Sequence, residues 1–579
     1  MKKILLSICF ILITISVFAT DVSGNQSGVW NLAGSPYHII GEITIPTNET
    51  LQIEAGVEVI AMGNYKITAL GNILAIGTFN DTIRFHGNNE LNWGGLRLED
   101  EVTTSQFNYC RISNTDDTND YGIQSINSPV TINHSYLDDH QKAVSFSALS
   151  SNDPSVMIII NSKIAYVQKS GITITDNSIV LIDSCEVTRC GLGAQFYGAI
   201  QLSLQNNSHS CSPIITNNYI HHNDKQGITL ANLYGYDNMA PTVENNEISY
   251  NYTGIYLYVG KGYYAGNHIH HNFVENNADS GAGVMLYGNG ADAVFTHNEV
   301  NNNYTGFYLS NGATANIGDL NNGSSMDDGY NLIYDNEFYT GEIFSVYNAS
   351  ALDMIAENNY WGSDDPEIID ITIIDGNDNP AYGIVDYEPY LSHILNPPQN
   401  PNANSSGYIT WEEPEPGSTS PFLYYNVYLD GELYGTTNEL FYQLVDLVYG
   451  QQYMVGLSAQ YEAGESVILE FELPYVNSDD NAIQIVNTLH NYPNPFNPNT
   501  TISFNLTTEH MENTEIVIYN LKGQKVKTFE CHTELVEVQH SITWDGTDES
   551  NKPVSSGVYF YKLVSDGKNL ASKKMLLLK

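Results

Sequence analysis

Between residues 110 and 364 one pattern recurs, and it excludes most folds. NNYIHHNDKQGITL begins at Asn217, NNEISYNYTGIYL at Asn245, HNEVNNNYTGFYL at His297 and NSKIAYVQKSGITI at Asn161. Each carries an apolar anchor, a polar run, a glycine and then apolar residues at every second position. The anchors are Ile112, Leu137, Ile164, Val187, Ile220, Ile248, Ile269, Val300, Ile333 and Trp361, at intervals of 21 to 33 residues. A period of that size, with its variation confined to the connecting stretches, predicts stacked units whose loops differ while their rungs do not. The units are rich in Asn, Gly, Tyr, Thr and β-branched residues and alternate with period two, as in Gly254-Ile-Tyr-Leu-Tyr258, so they are short strands rather than helices. One such strand buries only one face. Parallel stacking in register closes an apolar interior.

The columns of this alignment carry chemistry. Three residues after the anchors stand Thr115, His140, Val167, Cys190, Asn223, Asn251, Asn272, Asn303, Asn336 and Asp364. The five asparagines predict an internal ladder, in which each amide donates to one rung and accepts from another. Two residues before the anchors the column is compact throughout: Cys110, Ser135, Ser162, Cys185, Asn218, Asn246, Asn267, Asn298, Asn331 and Asn359. The adjacent histidines 221 and 222, and 270 and 271, fall between anchor and ladder, so they are expected to face outward and to diverge. The two pairs are separated by two rungs, about 9.6 Å, which bonds of about 2 Å to one ion do not span. They are read as turn residues, with no metal site, and Cys110, Cys185 and Cys190 as buried packing.

Residues 1–19, MKKILLSICFILITISVFA, read as a cleaved export signal, and no later apolar run is long enough to span a bilayer. Without the signal the chain keeps 19 basic and 66 acidic residues, a net charge of −47, which excludes nucleic acid as a partner. No Lys or Arg lies between Lys261 and Lys522, whereas nine fall from Lys522 to Lys579, setting the C-terminus apart. Five scattered cysteines outside the signal do not form a disulfide framework.

The strand-rich segment from Gly28 to Thr78, the repeats and the closing Asn358-Asn-Tyr-Trp-Gly362 together resemble the right-handed parallel β-helix proteins of the pectate-lyase-like superfamily, over residues 25–395. That resemblance implies a fold and leaves activity open among lyases, glycosidases and non-enzymatic adhesins. Family polygalacturonases pair an Asn-Thr-Asp motif with Gly-His-Gly and Arg-x-Lys; Asn114-Thr115-Asp116-Asp117 is present and the other two are not. Asp116, Asp117, Asp138 and Asp139 are therefore weak candidates for the paired carboxylates of a glycosidase. The loop from Asp375 to Asp386 has calcium-loop features but Pro380 where glycine is needed. It is read as a polar loop; calcium is the one ion considered, and no other cofactor is expected. Tyr250, Tyr252, Tyr256, Tyr258, Tyr304 and Tyr308 are expected to face outward, where aromatic rows bind sugars.

After a linker at residues 396–406, residues 407–476 resemble a fibronectin type III module, on Trp411, Tyr425 and the Leu447-x-x-Gly450-x-x-Tyr453 spacing. Residues 488–579, with NYPNPFNPNTTISFNL from Asn491 and WDGTDESNKPVSSGVYFYKL from Trp544, closely resemble the type A C-terminal sorting domain of the type IX secretion system. That resemblance implies export across the outer membrane of a bacterium related to Bacteroidetes, with the secretion machinery as partner and release or attachment at the cell surface. The expected molecule is all-β, a right-handed parallel β-helix followed by two small β-sandwich domains. Its expected role is non-catalytic binding of polysaccharide or surface glycan; a polysaccharide hydrolase or lyase is the alternative.

Overall fold

The computed structural model describes residues 19–577 apart from 89–91, 101–102, 116–120, 149–155, 177–178, 194–197, 205–208, 232–237, 274–280, 325, 338–340, 405–406, 446, 448–451, 475–488, 493–495, 497, 505–513, 521–524, 531–539, 550–551, 556 and 566–567. The signal segment, Asp116, Asp117 and Cys531 lie outside the described residues. Three parallel sheets wind into one coil. The first contains the anchor strands, among them Glu186–Cys190, Tyr219–His221, Glu247–Ser249 and His268–His270; the second runs through Ile123–Ile126, Gln226–Ala231, Thr253–Tyr258, Ala282–Tyr287, Thr305–Ser310 and Val346–Ala349; the third includes Val156–Ile160, Ile179–Asp183 and Ile214–Thr216. At the N-terminal end the first two sheets share one long strand, Tyr37–Ile45, which pairs with Glu58–Ala61 by its first half and with Ile67–Ala69 by its second. Parallel pairing begins earlier than residue 25, since Thr20–Asn25 already pairs with that strand.

The anchors stack in register. Ile112 lies beside Leu137, and the file continues through Ile164, Val187, Ile220, Ile248, Ile269, Val300 and Ile333. All nine are fully buried and Trp361 nearly so. Each anchor strand is short because both its ends turn through left-handed residues. Asn114, Asp139, Tyr166, Arg189, His222, Tyr250, His271, Asn302 and Asp335 follow the anchors with φ between +50° and +64°, and Tyr109, His134, Asn161, Ser184, Asn217, Asn245, Gly266, His297, Tyr330 and Asn358 precede them with φ between +47° and +62°. Asn, Asp and His tolerate this region better than most residues. The repeat's preference for asparagine and histidine at its bends follows from that.

Behind each bend sits a buried amide. Asn251 Nδ2 donates to the carbonyl of Ile220 at 3.0 Å and to Asn272 Oδ1 at 3.1 Å, while its own Oδ1 accepts from the Asn223 backbone N–H and Nδ2. Asn223, Asn272, Asn303 and Asn336 likewise donate to the anchor carbonyl one rung back. A second ladder, six amides long, runs on the other side of the anchors through Asn218, Asn246, Asn267, Asn298, Asn331 and Asn359. The residues that replace asparagine in the early rungs keep part of its role. His140 Nε2 lies 3.0 Å from the Ile112 carbonyl, Ser135 Oγ donates to Phe107 at 3.2 Å, and the Cys110 thiol donates to Ala75 at 3.5 Å. Burial raises the Cys110, Cys185 and Cys190 thiols above the ordinary range.

The glycine of the repeat is explained by the same ladder. A Cβ on Gly254 would stand 2.8 Å from Ile269 Cγ2 and 3.1 Å from Asn272 Nδ2, and Gly283 and Gly306 meet Asn303 and Asn336 in the same way. Only glycine lets the next strand lie this close to the amide.

The chain divides into two units, residues up to 397 with 414–424 and 459–467, and the remainder. After the coil come two antiparallel sandwiches. In the first, Gln399–Ala403, Tyr408–Glu412 and Phe441–Gln443 form one sheet and Glu432–Thr437, Phe422–Leu429, Met454–Tyr461 and Leu469–Glu472 the other. The segment 396–406, expected as a linker, thus supplies a strand, because Gln399, Asn402 and Ala403 pair with Glu412, Thr410 and Ile409 across an irregularity. The last sandwich closes around Phe496, Ile516, Ile518, Trp544, Tyr561 and Leu563. Its Trp544-Asp-Gly-Thr turn is held by Asp545 Oδ1, which accepts from the Thr547 N–H at 3.1 Å, with Gly546 at φ +69°.

Asn251→Ala removes two donors and an acceptor from a buried site and is expected to cost about 1–3 kcal/mol, read as a lower urea midpoint. Asn251→Asp should cost more, because its oxygens would face Asn272 Oδ1 and the Ile220 carbonyl. An unchanged midpoint in both would contradict the ladder's role.

Candidate functional site

The three sheets present chemically different outer faces. On the first, charges pair across rungs: Lys163 Nζ lies 2.7 Å from Glu186 Oε1, His221 Nε2 lies 3.3 Å from the same oxygen, and His270 Nε2 lies 3.4 Å from Glu247. His221 and His270 face outward but are pressed against their neighbours, with side chains 13% and 12% exposed. The adjacent histidines do not diverge as expected. His221 Nδ1 and His222 Nδ1 are 2.7 Å apart, and His270 Nδ1 and His271 Nδ1 are 2.8 Å apart, because the left-handed second residue swings its ring back onto the first. Tyr250, on the rung between, stacks on His222 at 4.8 Å and on His271 at 5.0 Å. The histidines thus form a stacked corner. Among the described residues no three His, Cys, Asp or Glu are grouped to hold a metal ion.

Asp138 is buried and forms a two-pronged pair with Arg111, at 2.6 and 3.1 Å. That pairing holds it as a structural anion on the first sheet. Asp139 occupies a left-handed corner, where partial desolvation and then the Asp138 charge raise its pKa. In the loop after Ile374, the Asp375 carboxylate is taken up by backbone, accepting from Asn377 at 2.7 Å and Val385 at 2.9 Å.

The second sheet carries the tyrosines. Tyr256, Met285, Tyr308 and Tyr347 are register neighbours in one outward file. Tyr258 stacks on Tyr287, and Tyr308 on Tyr347, each at 5.5 Å. Tyr347 also meets Phe344 and Tyr382. Burial lifts the Tyr256 hydroxyl to about 12, so it stays protonated as a donor. Of the six tyrosines singled out in the sequence, Tyr256, Tyr258 and Tyr308 share this face, while Tyr250 and Tyr252 lie at the bend before it. Tyr304 is instead buried, 7% exposed, because the backbone at Gly281 packs over it. Tyr287 and Tyr347 belong to the face without matching the Thr-Gly-apolar-Tyr pattern; counting register from Tyr258 reaches the first and from Tyr308 the second.

The third sheet turns Val156, Ile179 and Ile214 to solvent, each about half exposed. On the same rungs Asp183 and Thr216 also face outward, so this face mixes aliphatic with polar groups.

Two segments match known families: residues 147–322 the right handed beta helix region, and residues 490–577 the secretion system C-terminal sorting domain. The chain is therefore an exported right-handed β-helix protein, secreted or displayed at the cell surface of Bacteroidetes, whose C-terminal domain engages the type IX secretion machinery. No helix among the described residues is long and apolar enough to cross a membrane. No curated protein matches the chain. Among solved structures, dimeric latent PorU from Porphyromonas gingivalis is 15% identical, with 34% of this chain and 22% of that one covered and a TM-score of 0.23. PorZ, an essential bacterial surface component of the type-IX secretion system of the same organism, is 12% identical over 31% and 30%, with a TM-score of 0.13. ORF18 of Geobacillus virus E2 is 10% identical over 77% and 71%, also at 0.13. The chain spans less than a third of either Porphyromonas protein, and superpositions this poor carry no argument.

Burial depresses His140, His270 and His297 to about 4. An unfolded chain takes up these protons from about pH 6.5, the folded one only near 4, so stability is whole above 6.5 and is lost as pH falls through that window. The urea midpoint should drop between pH 7 and 4.5, and His140→Asn should flatten the slope. Separately, removing residues 490–577 should leave the protein in the periplasm, detected by fractionation.

Proposed function

We propose that this exported β-helix protein binds carbohydrate at the cell surface through the tyrosine face of its second sheet, without catalysis. The observation that carries the reading is the file Tyr256, Met285, Tyr308 and Tyr347, backed by the Tyr258–Tyr287 stack. Aromatic rings with outward polar tips combine apolar contact with hydrogen bonding, and here they are held rigid by a parallel sheet rather than by loops. The first sandwich, read as a fibronectin type III-like spacer, sets the coil apart from the sorting domain along the chain.

A polysaccharide hydrolase or lyase is the competing class. It would need a free acid and base, and Asp138 is committed to Arg111. A glycan array run beside assays for new reducing ends and unsaturated products separates the two. Binding without products supports the proposal; products of either kind replace it with hydrolysis or elimination. In the binding case, Tyr256→Ala and Tyr308→Ala should each weaken affinity by up to about tenfold, the equivalent of about 1.4 kcal/mol, while the unfolding transition stays cooperative.

A further inference from the structure

Along most of its length the outer face of the second sheet carries no charge. Over nine rungs, from Ile123–Ile126 to Val346–Ala349, every outward strand position is Gln, Ser, Thr, Ala, Ile, Met or Tyr. This occurs in a chain of net charge −45, whose first-sheet face is laced with ion pairs. The same positions are recessed, each buried or half-buried, in contrast to the exposed Val156, Ile179 and Ile214 of the third sheet. The character changes along the file, from amide at Gln124 and Gln201 and hydroxyl at Ser145 and Thr173 to ring at Tyr256 and Tyr347. Where the two halves meet, the Thr229 hydroxyl is buried and without a hydrogen-bond partner. The rung before Gln124 closes the face with Arg97 and Glu99, which neutralise each other at 2.6 Å. Three lysines on the adjoining bend are also engaged, Lys142 over the ring of Tyr121, and Lys169 and Lys225 by their own neighbours.

Building on the carbohydrate reading above, we infer that the ligand is an uncharged polysaccharide lying along the coil axis, over both the amide–hydroxyl rungs and the tyrosine rungs. A charged polymer would leave its charges desolvated over a floor that offers no counter-charge, and the field of the whole protein repels polyanions. A neutral glycan meets neither penalty. Its hydroxyls match the amides and hydroxyls of one half, and its apolar ring faces match the tyrosines of the other. At about 4.8 Å per rung the nine rungs span about 38 Å, long enough for an oligomer rather than a single sugar.

The test uses the full chain without its signal segment and a panel of β-glucan oligomers from disaccharide to hexasaccharide, with polygalacturonate and chitosan oligomers as the charged members. Binding is measured calorimetrically at low and high salt. Affinity confined to the neutral members, rising with length and insensitive to salt, is expected. Gln201→Lys, which sets a charge on the floor, should then lower hexasaccharide affinity by about tenfold, and Gln201→Ala, which equally takes the acceptor from the buried Ser170 hydroxyl and so matches any fall in melting temperature, by less. Binding only to polygalacturonate or chitosan, or affinity that collapses with salt, overturns the neutral ligand while sparing carbohydrate binding. Failure to bind any member of the panel overturns both.

Discussion

The coil depends on buried amides that donate to the rung before and accept from it as well. Each short anchor strand is bounded by two sharp bends, and a bend leaves backbone carbonyls and N–H groups inside a structure with no water to satisfy them. Asn223, Asn251, Asn272, Asn303 and Asn336 meet this need on one side of the anchors, and Asn218 through Asn359 on the other. The amide is the smallest side chain that can donate twice and accept at once. Where it is absent, serine, cysteine or histidine takes over part of its bonding: Ser135 Oγ donates to the Phe107 carbonyl and accepts from the Cys110 N–H, while the Cys110 thiol and His140 reach a carbonyl of the earlier rung.

From that constraint the surface follows. A bend in the left-handed region exposes its side chain at a corner, and rung-to-rung spacing brings successive corner rings into contact. His222, Tyr250 and His271 stack for this reason, as do Tyr109 with His134 and His297 with Tyr330. The ring contacts offset part of the strain of holding tyrosine at positive φ. Histidine pairs that suggest ligands in the sequence are thus products of backbone geometry.

With the interior chemistry held nearly constant, the outward positions are free to differ, and three sheets carry three kinds of face. Ion pairs cover the first, a mixture of aliphatic, polar and acidic side chains the third, and uncharged amide, hydroxyl and aromatic groups the second. Recognition by such a face rests on a rigid floor of hydrogen-bonded strands, which limits the entropy lost on binding. The sorting domain is a separate matter, since it addresses the protein to its surface without taking part in the coil.

Much of this was legible in the residues alone. Anchor spacing, the Asn and Gly columns and period-two strands established a parallel coil, because each is a local requirement repeated at every rung. The sorting domain was equally plain in its turn pairs and alternating strands. Less visible was what depends on neighbours distant in sequence. Tyr304 and Tyr252 hold the same place after their ladder asparagines, yet Tyr304 is covered where the chain returns at Gly281. Asp138 reads as a candidate acid until Arg111, 27 residues away, closes on it. The adjacent imidazoles converge only once their φ values are known. The sequence by itself determined the rung, since a rung is built from side chains meeting their own backbone; which outward residues share a face, and which are sealed beneath a loop, was decided by tertiary stacking, since those contacts form only between different turns of the coil.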